Sequence, residues 1–287
     1  MSKKSKLPFA LRSIQWLFPK VEAVSPVLAA RWFQHLFFTP IRYKSPEKEL
    51  EIARSAQQYK LLVGEKNIQI YTWGEGVSVL MIHGWAGRGT QFRKFVEPFT
   101  AQGFKVVAID GPAHGKSDGS KTEIMEFARV IESVYNKEQA VAIIAHSFGG
   151  VASLYAMANG LQNKVQINIA SPTIGEEIIK SFLKALKASE RIGKLFRDFI
   201  LKQTGKRFEE FSALEIVKQI PHEFDLMLVY DEDDDEVTME HAHAIKKVYP
   251  QANLFQTKGL GHNRILKEDR VINRCVTFIQ QKTSIQQ

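Results

Sequence analysis

From residue 67 onward the chain alternates short apolar runs with stretches of helical period, and no other feature constrains its fold as strongly. Residues 68–73, 77–82, 105–109, 141–145, 165–169, 226–230 and 253–256 read as strands, with helical stretches at 92–101, 121–135, 151–159 and 240–248 between most of them. Parallel neighbours require crossover connections, and helical crossovers cover both faces of a sheet. The alternation therefore predicts an α/β chain on a mostly parallel sheet, with ligands gathering at the carboxyl ends of the strands.

Two segments break the rhythm. Residues 171–219 keep a helical period with no convincing strand, and Ile178, Phe182 and Leu186 share a face, as do Leu195 and Phe199. This reads as a helical insertion of the cap or lid kind. The first sixty residues are rich in aromatic side chains. Ser25-Pro26 supplies an N-cap and a first-turn proline for a helix over 27–38, which stops at Thr39-Pro40, and a second helix is expected over 46–60. The expected organisation is an N-terminal helical extension at 1–60 and a body at 61–287 with its cap at about 171–219. The apolar residues Trp32, Phe33, Leu36 and Phe37 suit either packing against the body or peripheral contact with a membrane surface.

Charge separates the same two regions. Of the formal +8, residues 1–60 hold 11 Lys/Arg against 4 Asp/Glu, which leaves 28 against 27 for the rest. The body is close to neutral, so nucleic-acid binding by it is not expected. The basic start, Met1 to Lys6, resembles the first part of a signal peptide, but Arg12, Gln15 and Lys20 interrupt the apolar core that should follow. No cleaved signal is expected. There is no apolar run of about 18 residues and hence no expected membrane span. The single cysteine, Cys275, can form no intramolecular disulfide, so cytoplasm is the expected compartment.

The chemistry centres on Ala145-His146-Ser147-Phe148-Gly149, which lies directly between a strand and a helix. A sharp turn there exposes the serine oxygen, provided that the residues two before and two after it are small. Gly115-Lys116-Ser117-Asp118-Gly119 fits the literal G-x-S-x-G string better, yet it follows the turn Asp110-Gly111-Pro112 rather than a strand. It is also one residue short of a phosphate-binding loop and has no helix directly after it, so nucleotide binding is set aside. A serine nucleophile needs a base, an acid that orients the base, and donors for an oxyanion. His262 follows the last strand in a glycine-rich loop. The run Asp231-Glu232-Asp233-Asp234-Asp235-Glu236 follows the strand before it and offers several acids, most of which should be a solvated turn. His83-Gly84-Trp85 ends the strand at 77–82 and offers the Trp85 amide beside that of Phe148 as an oxyanion hole. His83 and His146 are given structural roles. No metal is expected, because Glu236 and Ala242 spoil a calcium loop and His241 and His243 point to different helix faces.

With these motifs in order, residues 68–279 resemble the α/β-hydrolase superfamily, especially its small esterases and lipase-like or peptidase-like relatives. The Asp110-Gly111-Pro112-Ala113-His114-Gly115-Lys116-Ser117 segment is similar to the family's D-x-P-x-x-G-x-S loop. The family places its acid three residues before a valine or isoleucine, and Val237 therefore implies Asp234. The resemblance implies a serine hydrolase without cofactor that cleaves a small or medium acyl ester through Ser147, Asp234 and His262. A peptidase, thioesterase or acyltransferase would use the same residues, and a membrane-associated scaffold that keeps the fold without hydrolysis is the alternative of another class.

Overall fold

The computed structural model describes residues 9–283, so the basic run at Met1 to Lys6 lies outside the described residues. In chain order its elements are α1 (Phe9–Val24), α2 (Pro26–Phe37), α3 (Glu47–Ser55), β1 (Gln57–Val63), β2 (Lys66–Trp73), β3 (Val77–Ile82), α4 (Arg93–Thr100), β4 (Phe104–Ile109), α5 (Ile124–Glu138), β5 (Ala142–His146), α6 (Phe148–Ala158), β6 (Val165–Ile169), α7 (Gly175–Leu186), α8 (Glu190–Thr204), α9 (Ala213–Ile216), β7 (Asp225–Asp231), α10 (Met239–Val248), β8 (Asn253–Thr257), α11 (Gly261–Arg264) and α12 (Asp269–Thr283). They fall into two compact units: Pro40–Thr173 with the described residues from Ser212 on, and the described residues up to Thr39 with Ile174–Phe211.

The larger unit holds an eight-stranded sheet in the order β1-β2-β4-β3-β5-β6-β7-β8. β1 and β2 pair antiparallel, β2 meets β4 antiparallel, and the remaining six strands run parallel. The central strands are mostly apolar because both of their faces are covered, with buried polar exceptions such as Gln166 and Asn168 of β6, paired to each other at 2.7 Å. Within β3, Leu80 and Ile82 enter one core with Ile143, Ala145 and the α5 and α6 side chains, while Val79 and Met81 enter the opposite core with Phe95, Phe99 and the α12 side chains. α5 begins where the Glu123 carboxylate accepts from the Met125 and Glu126 amides at 2.7 and 2.8 Å, which satisfies donors that a helix start leaves open.

One expected helix is corrected here. Residues 46–60 divide into α3 and the edge strand β1, whose seven residues are exposed or half-buried in alternation rather than apolar. The polar residues Gln57, Gln58 and Lys60 continue the polar pattern of the charged helix before it and hide the start of the strand.

The smaller unit joins segments far apart in sequence. Phe18, Ala29 and Phe33 of α1 and α2 share one buried cluster with Ile179, Leu183 and Leu186 of α7 and with Ile192, Phe196 and Ile200 of α8. Phe33 meets the rings of Phe182 and Phe196 edge-on at 5.0 and 5.1 Å between centroids. The N-terminal helices and the helical insertion therefore form one core. Residues 40–60, grouped with the extension on sequence grounds, belong to the sheet unit instead. The buried positions of α7 are Ile179, Leu183 and Leu186, while Ile178 and Phe182 are only half-buried. Residues flanking a buried stripe share its period, which is why the expected face was displaced.

Candidate active site

Ser147 sits between the end of β5 and the start of α6 with φ 51° and ψ −125°, a conformation that costs a non-glycine residue about 1–3 kcal/mol and points its side chain off the sheet. The turn is held by the Ser147 amide donating to the Ile169 carbonyl at 2.9 Å and by the Gly150 amide donating to the Ser147 carbonyl at 2.9 Å. Small neighbours are a steric requirement. A Cβ on Gly149 would lie 2.6 Å from the His83 carbonyl oxygen, and one on Gly84 would lie 2.8 Å from the Ser147 Cβ. The loop after β3 thus lies directly against the serine. Ala145, in place of the commoner glycine, fits fully buried in the sheet opposite Ile82 and Asn168.

Asp234 and His262 are in hydrogen-bonding contact. The Asp234 Oδ2 accepts from His262 Nδ1 at 2.9 Å, while its Oδ1 accepts from the Glu236 and Val237 amides at 2.8 and 2.9 Å. The second pair of contacts gives the three-residue spacing to Val237 a physical basis: the carboxylate closes the turn that carries it. Burial opposes ionisation of Asp234, but His262 and the two amides outweigh it and hold the carboxyl below the usual range. Burial likewise opposes protonation of His262, yet the hydrogen bond and charge of Asp234, with Glu236 beyond, raise it above the ordinary histidine value. The Glu236 carboxylate stands 4.0 Å from His262 Nε2, the ring nitrogen that Asp234 does not hold. His262 lies on the single turn α11 rather than in an open loop.

Asp231 is the residue that sequence reading missed. Placed among the solvated members of the acidic run, it is instead fully buried. Its Oδ1 accepts from the Asp233, Leu260 and Gly261 amides at 3.1, 3.0 and 2.8 Å, and its Oδ2 from the Thr257 hydroxyl at 2.7 Å. One carboxylate thus ties the loop of Asp234 to the loop of His262. Asp231→Ala is expected to leave several buried donors unmet at about 1–3 kcal/mol each. A thermal melt should show a marked loss of stability, and an unchanged melting temperature would contradict the clamp.

Three further histidines, His83, His114 and His146, serve as struts. His83 donates from Nδ1 to the Gly84 carbonyl at 2.7 Å and accepts the Gly111 amide on Nε2 at 2.8 Å, while His114 accepts the Ala86 amide on Nε2 at 3.1 Å. Burial pushes His83 well below the ordinary value and His114 to about 4, so both stay neutral and pin the Gly84-Trp85-Ala86 loop to the loop after β4. His146 is pushed down by burial and by His262 to about 3, and its Nε2 donates to the His262 carbonyl at 2.9 Å. Among the described residues, neither the Trp85 nor the Phe148 amide donates to a protein acceptor. Their rings meet edge-on at 5.3 Å. Ser117 is spent structurally: it is buried, its Oγ donates to the Asp110 carbonyl at 2.5 Å and accepts the Gln69 amide at 2.8 Å.

The Ser147 turn after β5 and the β3 loop beside it fall within residues 77–209, which match a family described as alpha/beta hydrolase fold, and Asp234 and His262 follow beyond that match on the segments after β7 and β8. The chain has the α/β-hydrolase fold. Two curated relatives are similar to it over shorter stretches. A 2-hydroxy-6-oxononadienedioate/2-hydroxy-6-oxononatrienedioate hydrolase of Cupriavidus pinatubonensis is 34% identical over 93 residues, 29% of this chain and 32% of that protein. Its counterpart from Dechloromonas aromatica, hydrolase 1 of the same description, is 32% identical over 122 residues, 37% of this chain and 41% of that protein. The chain thus matches about a third and about two fifths of the length of these two relatives. Among solved structures, an esterase from Exiguobacterium antarcticum superposes with a TM-score of 0.55 at 16% identity, over 75% of this chain and 96% of that one. The α/β-hydrolase fold accounts for the placement of all the candidate site residues at one edge of the sheet, the carboxyl ends of β3, β5, β7 and β8.

Proposed function

We propose that the protein is a serine hydrolase that cleaves a small or medium acyl ester through an acyl-enzyme. The observation that carries this reading is the 2.9 Å bond between Asp234 and His262 Nδ1, which leaves Nε2 free as base at the same sheet edge as the strained Ser147 turn. Ser147 Oγ attacks the ester carbonyl and gives its proton to His262 Nε2, while the Trp85 and Phe148 amides receive the oxyanion. Collapse breaks the acyl–oxygen bond, and the departing alcohol takes the proton from His262. Water, deprotonated by the same nitrogen, then releases the acid and restores Ser147.

A second reading, hydrolysis of a carbon–carbon bond beside a ketone, is favoured by the names of the two curated relatives. Their named substrates are dicarboxylates. The Glu236 carboxylate beside His262 Nε2 repels such an anion and supports the ester reading. A panel of p-nitrophenyl esters run beside a dienedioate ketone separates the two. Turnover of the esters supports our reading, and turnover of the ketone alone overturns it.

The pH profile provides a further check. Only neutral imidazole accepts the serine proton, so activity rises as pH climbs through the His262 pKa. With that pKa raised, the acidic limb of kcat/KM should have its midpoint above 6.5, the ordinary histidine value. Glu236→Gln removes one of the raising charges and should move the midpoint down. A midpoint below 6.5 in the unaltered protein would contradict the described environment of His262.

A further inference from the structure

α1 and α2 bury one side in the small aromatic core and leave the other side to solvent. On α1 the outer side carries Arg12, Trp16, Leu17, Lys20 and Val24, and on α2 it carries Val27, Leu28 and Arg31. The spacings of three, four and seven residues place each set on a single helix face. The apolar members are unusually bare for their type: Val24 is 87% exposed, Trp16 66%, Val27 62% and Leu28 57%. Val24, Val27 and Leu28 flank the bend at Ser25, where the Ser25 amide still donates to the Val21 carbonyl and the Ser25 carbonyl accepts from Ala29. They make an apolar corner, with Trp16 and Leu17 two turns back along α1.

The charges on α1 and α2 around this corner are cationic but for one. Arg12, Lys20 and Arg31 are exposed, and Lys3, Lys4 and Lys6 precede them in the sequence. The one acid before Thr39 is Glu22, which is half-buried and receives the amide and hydroxyl of Ser189. The Lys20 ammonium lies 3.0 Å from the Trp16 ring centroid, so the lysine head and the indole form one amphipathic element. A bare aliphatic corner, a tryptophan beside it and a cationic border whose one acid, Glu22, is bound to Ser189 complement an anionic bilayer surface. The aliphatic side chains enter the acyl boundary, the indole sits at headgroup depth and the cations meet lipid phosphates. A protein partner or a second copy would have to offer a matching acidic rim around an apolar socket, and a second copy of this corner is itself basic.

We propose that the outer face of α1 and α2 docks the protein reversibly on anionic phospholipid bilayers. The test needs no hydrolytic activity, so its outcome is independent of the proposed reaction. The full chain is co-sedimented with vesicles of phosphatidylcholine plus phosphatidylglycerol and with vesicles of phosphatidylcholine alone, at low and high salt. Binding to the mixed vesicles, weakened by salt and much weaker on the neutral ones, is the expected result. Lys20→Gln with Arg31→Gln should weaken partitioning by roughly 30-fold, and Val24→Ser with Val27→Ser should weaken it on the same vesicles. All four residues are exposed, and an unchanged thermal melt of each variant confirms that its fold is intact. Absence of binding to mixed vesicles, equal binding to neutral ones, or variants that bind as well as the parent would overturn the proposal. So would a dimer in sedimentation velocity that Val24→Ser with Val27→Ser converts to monomer, because the corner would then be covered by a second copy.

Discussion

Ser147→Ala is expected to abolish labelling by a fluorophosphonate probe and to lower kcat for ester hydrolysis by on the order of 10⁶-fold, the scale seen when the nucleophile of an acyl-transfer triad is removed. Loss of the Oγ removes the attacking atom and leaves its surroundings in place, so the variant should melt as the parent does. The comparison that gives the result its force is Ser117→Ala. Ser117 lies in the better literal match to the serine motif, but its hydroxyl is already engaged with the Asp110 carbonyl and the Gln69 amide inside the protein. Its removal should cost about 1–3 kcal/mol of stability and leave labelling intact. Labelling that survives Ser147→Ala and is lost in Ser117→Ala would reverse the assignment.

The second large effect is expected at Asp234. Its carboxylate holds the His262 ring through Nδ1, which in the proposed reaction keeps Nε2 available as base. Asp234→Asn offers an amide whose nitrogen cannot accept that proton and favours the wrong tautomer, which costs roughly 10⁴-fold in kcat where the same arrangement has been dissected. The acidic limb of the pH profile should move down as well, because the charge of Asp234 is what raises His262 against its burial. Asp233, one position earlier and exposed, is the control. A large loss for Asp233→Asn with a small one for Asp234→Asn would refute the choice of acid.

The difference between what could be read from the chain and what could not follows the range of the interactions involved. The central strands are legible to within about two residues, because burial on both faces gives uninterrupted apolar runs such as 79–82 and 142–145. Ser147 is legible because its turn is defined by its immediate neighbours. Asp234 is legible through Val237, whose amide the carboxylate accepts three residues on. β1 is not, since an edge strand needs only half its residues apolar. α1 is not either, because Lys20 and Pro19 look like interruptions until Phe18 is seen to carry its buried side. Asp231 stays hidden for a different reason. The partners that distinguish it from its acidic neighbours, Leu260 and Gly261, are 29 and 30 residues away, and no local pattern announces them.

The shared core of α1, α2, α7 and α8 has a consequence for the order in which this chain can mature during synthesis. Phe18 and Phe33 emerge from the ribosome first, but Phe196 and Ile200, which complete their burial, follow more than 160 residues later. At typical elongation rates of about 5–20 residues per second, the N-terminal hairpin spends on the order of ten seconds with both its inner and its outer apolar sides uncovered. Contacts of such high sequence separation are slow to close, so the nascent hairpin is the segment of this chain with the longest exposure to chaperones and to premature association.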